Sequence, residues 1–190
     1  MLGLKCLDIS SRMKENLEIV TAARPVMQRL METTGETVNL VSFENMEGVY
    51  IDQIGNTKSL LRMFTRVGAR VPLHSSGVGK AFLALRPRKE TLDYFRHAPK
   101  VRYTQNSLVQ EDEFIRDLED TRARGYAIDR EEFEEGVGCL AAVITQNGEV
   151  AGALSISGPS SRLFGANTAR LAGEVVRAAA AISQRLAEHD

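Results

Sequence analysis

Residues 139–157 have the sequence CLAAVITQNGEVAGALSIS, and this stretch decides the expected fold. Apolar and small residues flank Asn147-Gly148, a dipeptide typical of a tight turn between two paired strands. We therefore predict strands over 139–145 and 149–157 that pair in an antiparallel hairpin. The hairpin predicts an antiparallel sheet.

The length of the hairpin loop sets which residues face each other. A two-residue loop, Asn147-Gly148, would place Cys139 and Ser155 on opposite faces of the sheet. A three-residue loop, 146–148, with Gly148 left-handed in a bulge, would place Cys139 opposite Ser155. We predict the three-residue loop.

In that register Ala141 lies opposite Ala153, and Ser157 lies on the same face as both. The face then combines a thiol, hydroxyls and small side chains, which leaves room for a small ligand. The alternative is that the small residues only let a helix pack closely against the sheet. The sequence leaves both interpretations open.

The rest of the chain alternates between strand and helix patterns. Three short strands with Gly-containing turns predict an antiparallel meander over 37–43, 49–54 and 60–64. Another strand is predicted at 126–129. Helical patterns are predicted for 11–34, 81–85, 88–97, 111–124 and about 167–188. This order is typical of the α+β class, in which helices pack on one antiparallel sheet.

Two details of the helices follow from single residues. Pro25 should bend the first helix or begin a second one, and Gly35 should end it. In the last helix, the spacing of five apolar residues predicts a buried stripe: Leu171, Val175, Ala178, Ile182 and Leu186.

Composition excludes several classes of protein. The chain has 190 residues, 43% of them hydrophobic, which suits a folded domain. Lys and Arg number 24 against 25 Asp and Glu, so the net charge of −1 argues against a DNA-binding surface on this part. The 2 Cys and 3 His form no disulfide or metal-binding pattern. Without a membrane-length apolar run or a secretion signal, we expect a soluble, cytoplasmic protein.

The segment 75–80, with the sequence SSGVGK, precedes a predicted helix. A Ser can cap the helix, and two glycines expose backbone N–H groups where the helix dipole favours an anion. Ala81 stands where a phosphate loop would have a magnesium-binding Ser or Thr, so we do not predict a nucleotide site. The alternatives are a small carboxylate site or glycines that serve close packing.

Three further features have a structural and a functional interpretation. Cys139 is either an inert buried thiol or, with His74 as base, a nucleophile. Asp129 either accepts a ligand hydroxyl or caps a turn. The acidic run 131–135 is interpreted as a solvated loop, and so is most of the basic stretch that contains Arg66, Arg70, Lys80, Arg86, Arg88 and Lys89.

Five segments, in order along the chain, together resemble the IclR-type bacterial transcription regulators. RVPLHSSGVGKA at 70–81 resembles their P-L-H-x-[ST]-[AG]-x-G-K-A signature, and RGYAIDREE at 124–132 resembles R-G-Y-x-x-D-x-E-E. The other three are GETV at 35–38, GVGCLAA at 136–142 and ALSISGP at 153–159. The resemblance implies a GAF/PAS-like antiparallel sheet flanked by helices.

The resemblance also implies a division of the chain and a function. Residues 1–16 would be the remnant of a winged-helix domain and linker helix, and 17–190 the effector-binding domain of a regulator. The DNA-binding domain would be missing from this chain, so DNA would be bound only through that part. A small organic acid would be the effector. Its binding would be relayed through the arrangement of subunits in a homodimer or homotetramer. Leu17 and Val20 on the first helix could serve this association.

Matching positions give the expected ligand site: Leu60, Met63, Gly77, Val78, Asp129, Val137, Cys139, Ser155 and Ser157. The N–H groups of Gly77 and Val78, with the two serine hydroxyls, would hold a carboxylate. Asp129 would repel a second carboxylate or accept a hydroxyl, so we expect a small monoacid or hydroxy acid. We expect no cofactor, no metal, no membrane partner and no enzymatic activity. The alternatives are an oligomerisation module without a ligand or a Cys-dependent enzyme.

Overall fold

The computed structural model describes residues 18–55 and 66–188. In chain order, the described helices and strands are α1 (Glu18–Thr34), β1 (Thr37–Glu44), β2 (Glu47–Ile54), β3 (Arg70–Val71), α2 (Gly77–Leu85), α3 (Arg88–His97), α4 (Glu111–Arg124), β4 (Ala127–Arg130), β5 (Val137–Gln146), β6 (Glu149–Pro159), α5 (Ser160–Leu163) and α6 (Thr168–Ala187). The α+β prediction, an antiparallel sheet flanked by helices, is confirmed.

The six strands form one sheet in the order β3-β2-β1-β6-β5-β4, with antiparallel neighbours throughout. β1 and β6 meet in the middle, where Asn39 lies opposite Ser155. This pairing joins the N-terminal meander to the C-terminal hairpin. It brings residues more than a hundred positions apart in the chain into direct contact.

One face of the sheet is covered by α1 and α6. Their apolar stripes pack on the large aliphatic side chains of β1, β5 and β6. The predicted stripe of α6 is confirmed, since Leu171, Val175, Ala178, Ile182 and Leu186 are all buried. α1 runs unbroken through Pro25, so of the two predicted alternatives, a bend or the start of a second helix, the second is wrong and the bend stays a prediction. Burial of Val26 and Met27 offsets the backbone hydrogen bond that a proline cannot make.

The opposite face of the sheet is covered by α2, with α4 packed behind it. The predicted helices 88–97 and 111–124 are confirmed at their stated bounds, and Gly125 ends α4 in the left-handed conformation with φ 80°. Gly35 ends α1 in the same way, with φ 74°. Both glycines adopt a backbone conformation that other residues rarely do.

Several predictions need correction or lie outside the described residues. α2 begins at Gly77 rather than at Ala81, because Ser76 caps it there. The short strand β3 at Arg70–Val71 was not predicted. Val20 is only 4% exposed and packs inside its own domain, so it is not a free surface for association. The predicted strand 60–64, Leu17 and segment 1–16 lie outside the described residues.

Within 18–55 and 66–188, none of the helices combines the length and the apolar character needed to cross a bilayer.

Candidate functional site

The N-terminus of α2 is held by its own cap. Ser76 adopts an extended backbone, its hydroxyl accepts a hydrogen bond from the Gly79 N–H at 3.1 Å, and it donates to the Pro72 carbonyl at 2.6 Å. The predicted Ser cap is thus confirmed. The first N–H groups of a helix have no intrahelical partner, and they carry its positive end.

The two glycines of α2 allow two close approaches. A Cβ atom on Gly79 would lie 2.3 Å from the Cα of Leu73, so only glycine fits under that backbone. A Cβ atom on Gly77 would lie 2.8 Å from the Sγ of Cys139. The packing interpretation of the glycines is therefore correct. It does not exclude a ligand at the same place, because Gly77 also faces a cavity.

The β5–β6 hairpin differs from the predicted register. Gln146 pairs with Glu149, so the loop is the two residues Asn147-Gly148 and not three. The register shifts at Ile144/Thr145, and beyond that point Cys139 lies opposite Ser157 and Ala141 opposite Ser155. The predicted pairs, Cys139 with Ser155 and Ala141 with Ala153, are wrong.

The predicted face of the hairpin nevertheless holds. The register shift leaves one extra residue on β6 between the turn and Gly152. A two-residue loop without this shift would have placed Cys139 and Ser155 on opposite faces of the sheet, and the extra residue returns them to the same face. Cys139 therefore shares a face with Ser155 and Ser157, as predicted. This face lies beneath the start of α2.

A cavity of about 180 Å³ lies where α2, β2, β4 and the hairpin meet. Its lining combines backbone, hydroxyl, thiol, carboxyl and aromatic groups from Tyr50, Ala69, Arg70, Ser76, Gly77, Val78, Asp129, Phe133, Glu134, Val137, Cys139 and Ser157. The structure thus brings six of the nine predicted ligand residues together: Gly77, Val78, Asp129, Val137, Cys139 and Ser157. Whether they contact a ligand stays a prediction.

The other three predicted ligand residues are placed differently. Ser155 is buried next to the cavity but does not line it, and its oxygen lies 3.4 Å from the Asn39 side-chain nitrogen. Leu60 and Met63 lie outside the described residues. Tyr50, Arg70 and Phe133 were missed by sequence reasoning. Phe133 carried a signal, since a single aromatic side chain interrupts a run of glutamates.

Asp129 both caps a turn and lines the cavity. Its carboxylate accepts a hydrogen bond from the Glu132 N–H at 2.8 Å, which is the predicted turn role. Burial, together with the charge of Glu132, raises the pKa of Asp129 to about 7. A group with that pKa is partly protonated at neutral pH. It can therefore donate or accept a hydrogen bond in the cavity.

Cys139 has the properties of an unreactive thiol. It is 7% exposed, and burial, followed by the charge of Asp129, raises its pKa to about 12. A nucleophilic cysteine needs the opposite shift. His74, the proposed base, does not line the cavity, and its Nε2 lies 3.0 Å from the Val101 carbonyl oxygen. The geometry of a Cys-dependent enzyme is not assembled in this part of the chain.

A buried ion-pair cluster supports the loop that closes one side of the cavity. Lys80 is fully buried, and its Nζ lies 2.5 Å from Glu132 and 3.1 Å from Asp117. The sequence interpretation of Lys80 and Glu132 as solvated residues is wrong. Each charged group of the cluster stabilises the others, because a buried charge without a partner is strongly unfavourable.

The same loop is tied down from the irregular segment after α3. The hydroxyl of Thr104 donates to the Glu131 carbonyl at 2.6 Å, and that of Ser107 donates to the Glu132 carbonyl at 2.7 Å. These bonds hold the backbone around Phe133 in place. Among the residues that the structure describes, no cluster of His, Cys, Asp or Glu is suited to hold a metal ion.

The sequence matches the family described as bacterial transcriptional regulator IclR C-terminal over residues 12–184. The chain belongs to the IclR family. It is 39% identical over 163 residues to the HTH-type transcriptional repressor AllR of Klebsiella pneumoniae, and 38% identical to that of Escherichia coli K12. Each alignment covers 85% of this chain but 60% of the relative, so the chain spans about three fifths of these repressors.

One solved structure agrees with the family, and a second has the same fold. The IclR protein of Thermotoga maritima superposes with a TM-score of 0.90 at 33% identity, covering 97% of this chain and 75% of that one. An IclR homologue from Microbacterium hydrocarbonoxydans, complexed with 4-hydroxybenzoate, has a TM-score of 0.83 at 23% identity, covering 97% and 75%. The GAF/PAS-like fold is thereby confirmed. The relatives named here are transcription regulators, not enzymes.

Proposed function

We propose that this chain is the effector-binding part of an IclR-family regulator and that its cavity holds a small organic acid. The observation that carries the proposal is the meeting of the α2 N-terminus with Ser157 and Cys139 around one enclosed space. Six of the residues expected from the sequence to bind the ligand line this space.

The chemistry of the cavity favours a carboxylate at the α2 end. Gly77 and Val78 occupy the first two positions of α2, where backbone N–H groups and the helix dipole attract an anion. Ser157 adds a hydroxyl from the hairpin. Arg70 lines the cavity from its exposed edge and forms an ion pair with Glu47. The electrostatics of this end suit a single negative charge.

The other walls limit the size and charge of the ligand. The cavity of about 180 Å³ lies below the range of about 300–1,000 Å³ that is usual for drug-sized ligands. Val78, Val137 and Phe133 give an apolar wall. Asp129 disfavours a second carboxylate but can pair with a hydroxyl or a keto oxygen, depending on its protonation. The expected effector is therefore a small monoacid or hydroxy acid.

Signal transmission would use the parts of the regulator beyond this domain. We expect that a winged-helix domain, connected through residues 1–16, binds DNA. We expect that residues 17–190 act as the sensor. An effector changes DNA binding only if it favours one arrangement of subunits over another, typically by about 1–3 kcal/mol. We expect that arrangement to be a homodimer or homotetramer.

Titration calorimetry of the purified chain tests the ligand. Acetate, pyruvate, lactate and 4-hydroxybenzoate are added separately, and at least one should give saturable heat with one site per chain. Ser157→Ala should weaken that binding by about tenfold, because it removes a hydrogen bond to a charged group. Ser42→Ala is the matched control, since Ser42 lies on β1 away from the cavity lining.

Two results would contradict the proposal. One is an absence of heat with every acid of the panel. The other is equal weakening by Ser157→Ala and Ser42→Ala, which would place the binding elsewhere. Sedimentation velocity with and without the bound acid then tests whether the effector changes the assembly of subunits.

A further inference from the structure

A buried asparagine lies behind the cavity and bonds to its serine wall. Asn39 is on β1 in the middle of the sheet and is fully buried. Its side-chain nitrogen lies 3.2 Å from the Ser157 hydroxyl oxygen and 3.4 Å from that of Ser155. Asn39 does not line the cavity itself. Any influence on a ligand must therefore pass through the serines.

The Asn39 amide is also bonded on its other side. The Gln53 side-chain nitrogen donates to the Asn39 oxygen at 2.9 Å. With its oxygen on Gln53, Asn39 directs its NH2 group towards the serines, to which it donates. The hydrogen bonds therefore run in one direction, from Gln53 on β2 across Asn39 on β1 to the serines on β6.

That direction decides what Ser157 offers to the cavity. A serine oxygen that accepts a hydrogen bond from Asn39 has one hydrogen left to donate. Ser157 lines the cavity and lies opposite Cys139, so its hydrogen has two acceptors within reach, the Cys139 thiol and a carboxylate in the cavity, and the charged carboxylate is the stronger acceptor. Together with the α2 N–H groups, the hydroxyl makes this end of the cavity a surface of donors.

We propose that Asn39 is a positioning residue that makes the site select a carboxylate over the neutral amide of the same shape. The inference rests on the proposed function, since it concerns the same cavity. A carboxylate accepts from every donor. At the donor end of the cavity, an amide of equal size has only its oxygen to accept, so its NH2 group meets a donor and leaves hydrogen bonds unmade. Such mismatches are strongly rejected.

The first test uses the unmodified chain and matched pairs of ligands. Calorimetry compares acetate with acetamide, pyruvate with pyruvamide, and 4-hydroxybenzoate with 4-hydroxybenzamide. For any acid that binds, the amide should bind at least about tenfold more weakly. Equal affinity for acid and amide would overturn the inference while leaving the proposed function standing. Binding of none of the acids would overturn both.

The second test assigns the selectivity to Asn39. Asn39→Leu removes the NH2 donor at similar volume, which lets the Ser157 hydroxyl rotate. Its acid affinity should fall by about tenfold while amide affinity stays within about twofold, so that the preference largely disappears. Asn39→Ala makes the same test with a smaller side chain if the leucine variant does not fold, as judged by circular dichroism.

A matched control and a distinct outcome complete the test. Asn167→Leu changes an exposed asparagine at the start of α6 whose side chain makes no capping bond, and its acid preference should equal that of the unmodified chain. Equal weakening of acid and amide by the Asn39 variants would show that Asn39 only maintains the fold. That result would overturn the inference.

Discussion

The face of the sheet beneath α1 and α6 buries Leu140, Ile144 and Leu154, whereas the face beneath α2 buries Cys139 and Ala153. Both sets come from the same hairpin and alternate along it. Large aliphatic side chains dominate the first face. The second face is lined by small ones, and the space that they leave becomes the cavity.

This difference separates stability from binding along one pair of strands. A one-residue shift in the pairing of the two strands would exchange the residues of the two faces, so that neither the packed core nor the cavity would form. The register shift at Ile144/Thr145 is therefore as important as the turn itself. The variants below test whether the two sides of the sheet have these separate roles.

The largest expected effect concerns the ion pairs behind the cavity. Lys80→Met leaves Glu132 and Asp117 without their buried cation, and we expect the free energy of unfolding to fall by about 3–5 kcal/mol. Urea unfolding followed by circular dichroism measures the loss. Lys89→Met is the control on an exposed lysine and should change stability by no more than about 0.5 kcal/mol. Equal losses would show that the cluster contributes nothing.

The next effect compares the two faces of the hairpin directly. Leu154→Ala opens a hole in the fully packed face and should cost about 2–5 kcal/mol. Cys139→Ala removes one atom beside an existing cavity and should cost only about 1 kcal/mol. Urea midpoints of both variants give the comparison. A Cys139→Ala loss as large as that of Leu154→Ala would mean that the cavity face is packed as tightly as the other.

Local patterns predicted most helices and the hairpin because each element carries its own signals. The capping Ser76, the terminal Gly125 and the Asn147-Gly148 turn each act within a few residues. The predicted face of the hairpin was correct, but the predicted pairs were not, because the register shift at Ile144/Thr145 has no clear sequence signal.

Burial of charged residues was the main failure of the sequence analysis. Glu132 lies in a run of glutamates, and Lys80 belongs to a segment with several Arg and Lys residues between positions 66 and 89, so both were predicted to be solvated. They become buried because they pair across 52 positions of the chain, a contact that local periodicity cannot show. Asn39 was missed for the same reason, since its partners on β6 are defined only by the strand order.

The third prediction concerns pH. Burial raises the pKa of Asp129 from 3.8 to about 7, so between these values the folded chain holds a proton that the unfolded chain has lost. The bound proton stabilises the folded chain. This contribution to the free energy of unfolding is fully present below about pH 4 and is lost as pH rises to about 7. From pH 5.0 to 6.5, the unmodified chain should lose about 2 kcal/mol more stability than Asp129→Asn.

Urea unfolding at several pH values measures this difference. Burial also raises the pKa of Glu132, which is present in both chains. The comparison therefore removes the part of the Glu132 contribution that does not depend on Asp129, and the remaining difference comes from Asp129 and its interaction with Glu132. Asp120→Asn, at an exposed position of α4, should follow the unmodified chain. Parallel curves for Asp129→Asn and the unmodified chain would show that Asp129 is not buried as a protonated group.

The smallest effect distinguishes two neighbouring serines at the start of α2. Ser76→Ala removes the helix cap and should cost about 1 kcal/mol. Ser75 is equally buried, but among the described residues its hydroxyl has no hydrogen-bond partner, so Ser75→Ala should be neutral within about 0.5 kcal/mol. Because Ser76 also lines the cavity, its variant alone should weaken acid binding. If Ser75→Ala weakened binding as much, the Ser75 hydroxyl would face the ligand as well, and the expected difference between the two serines would be wrong.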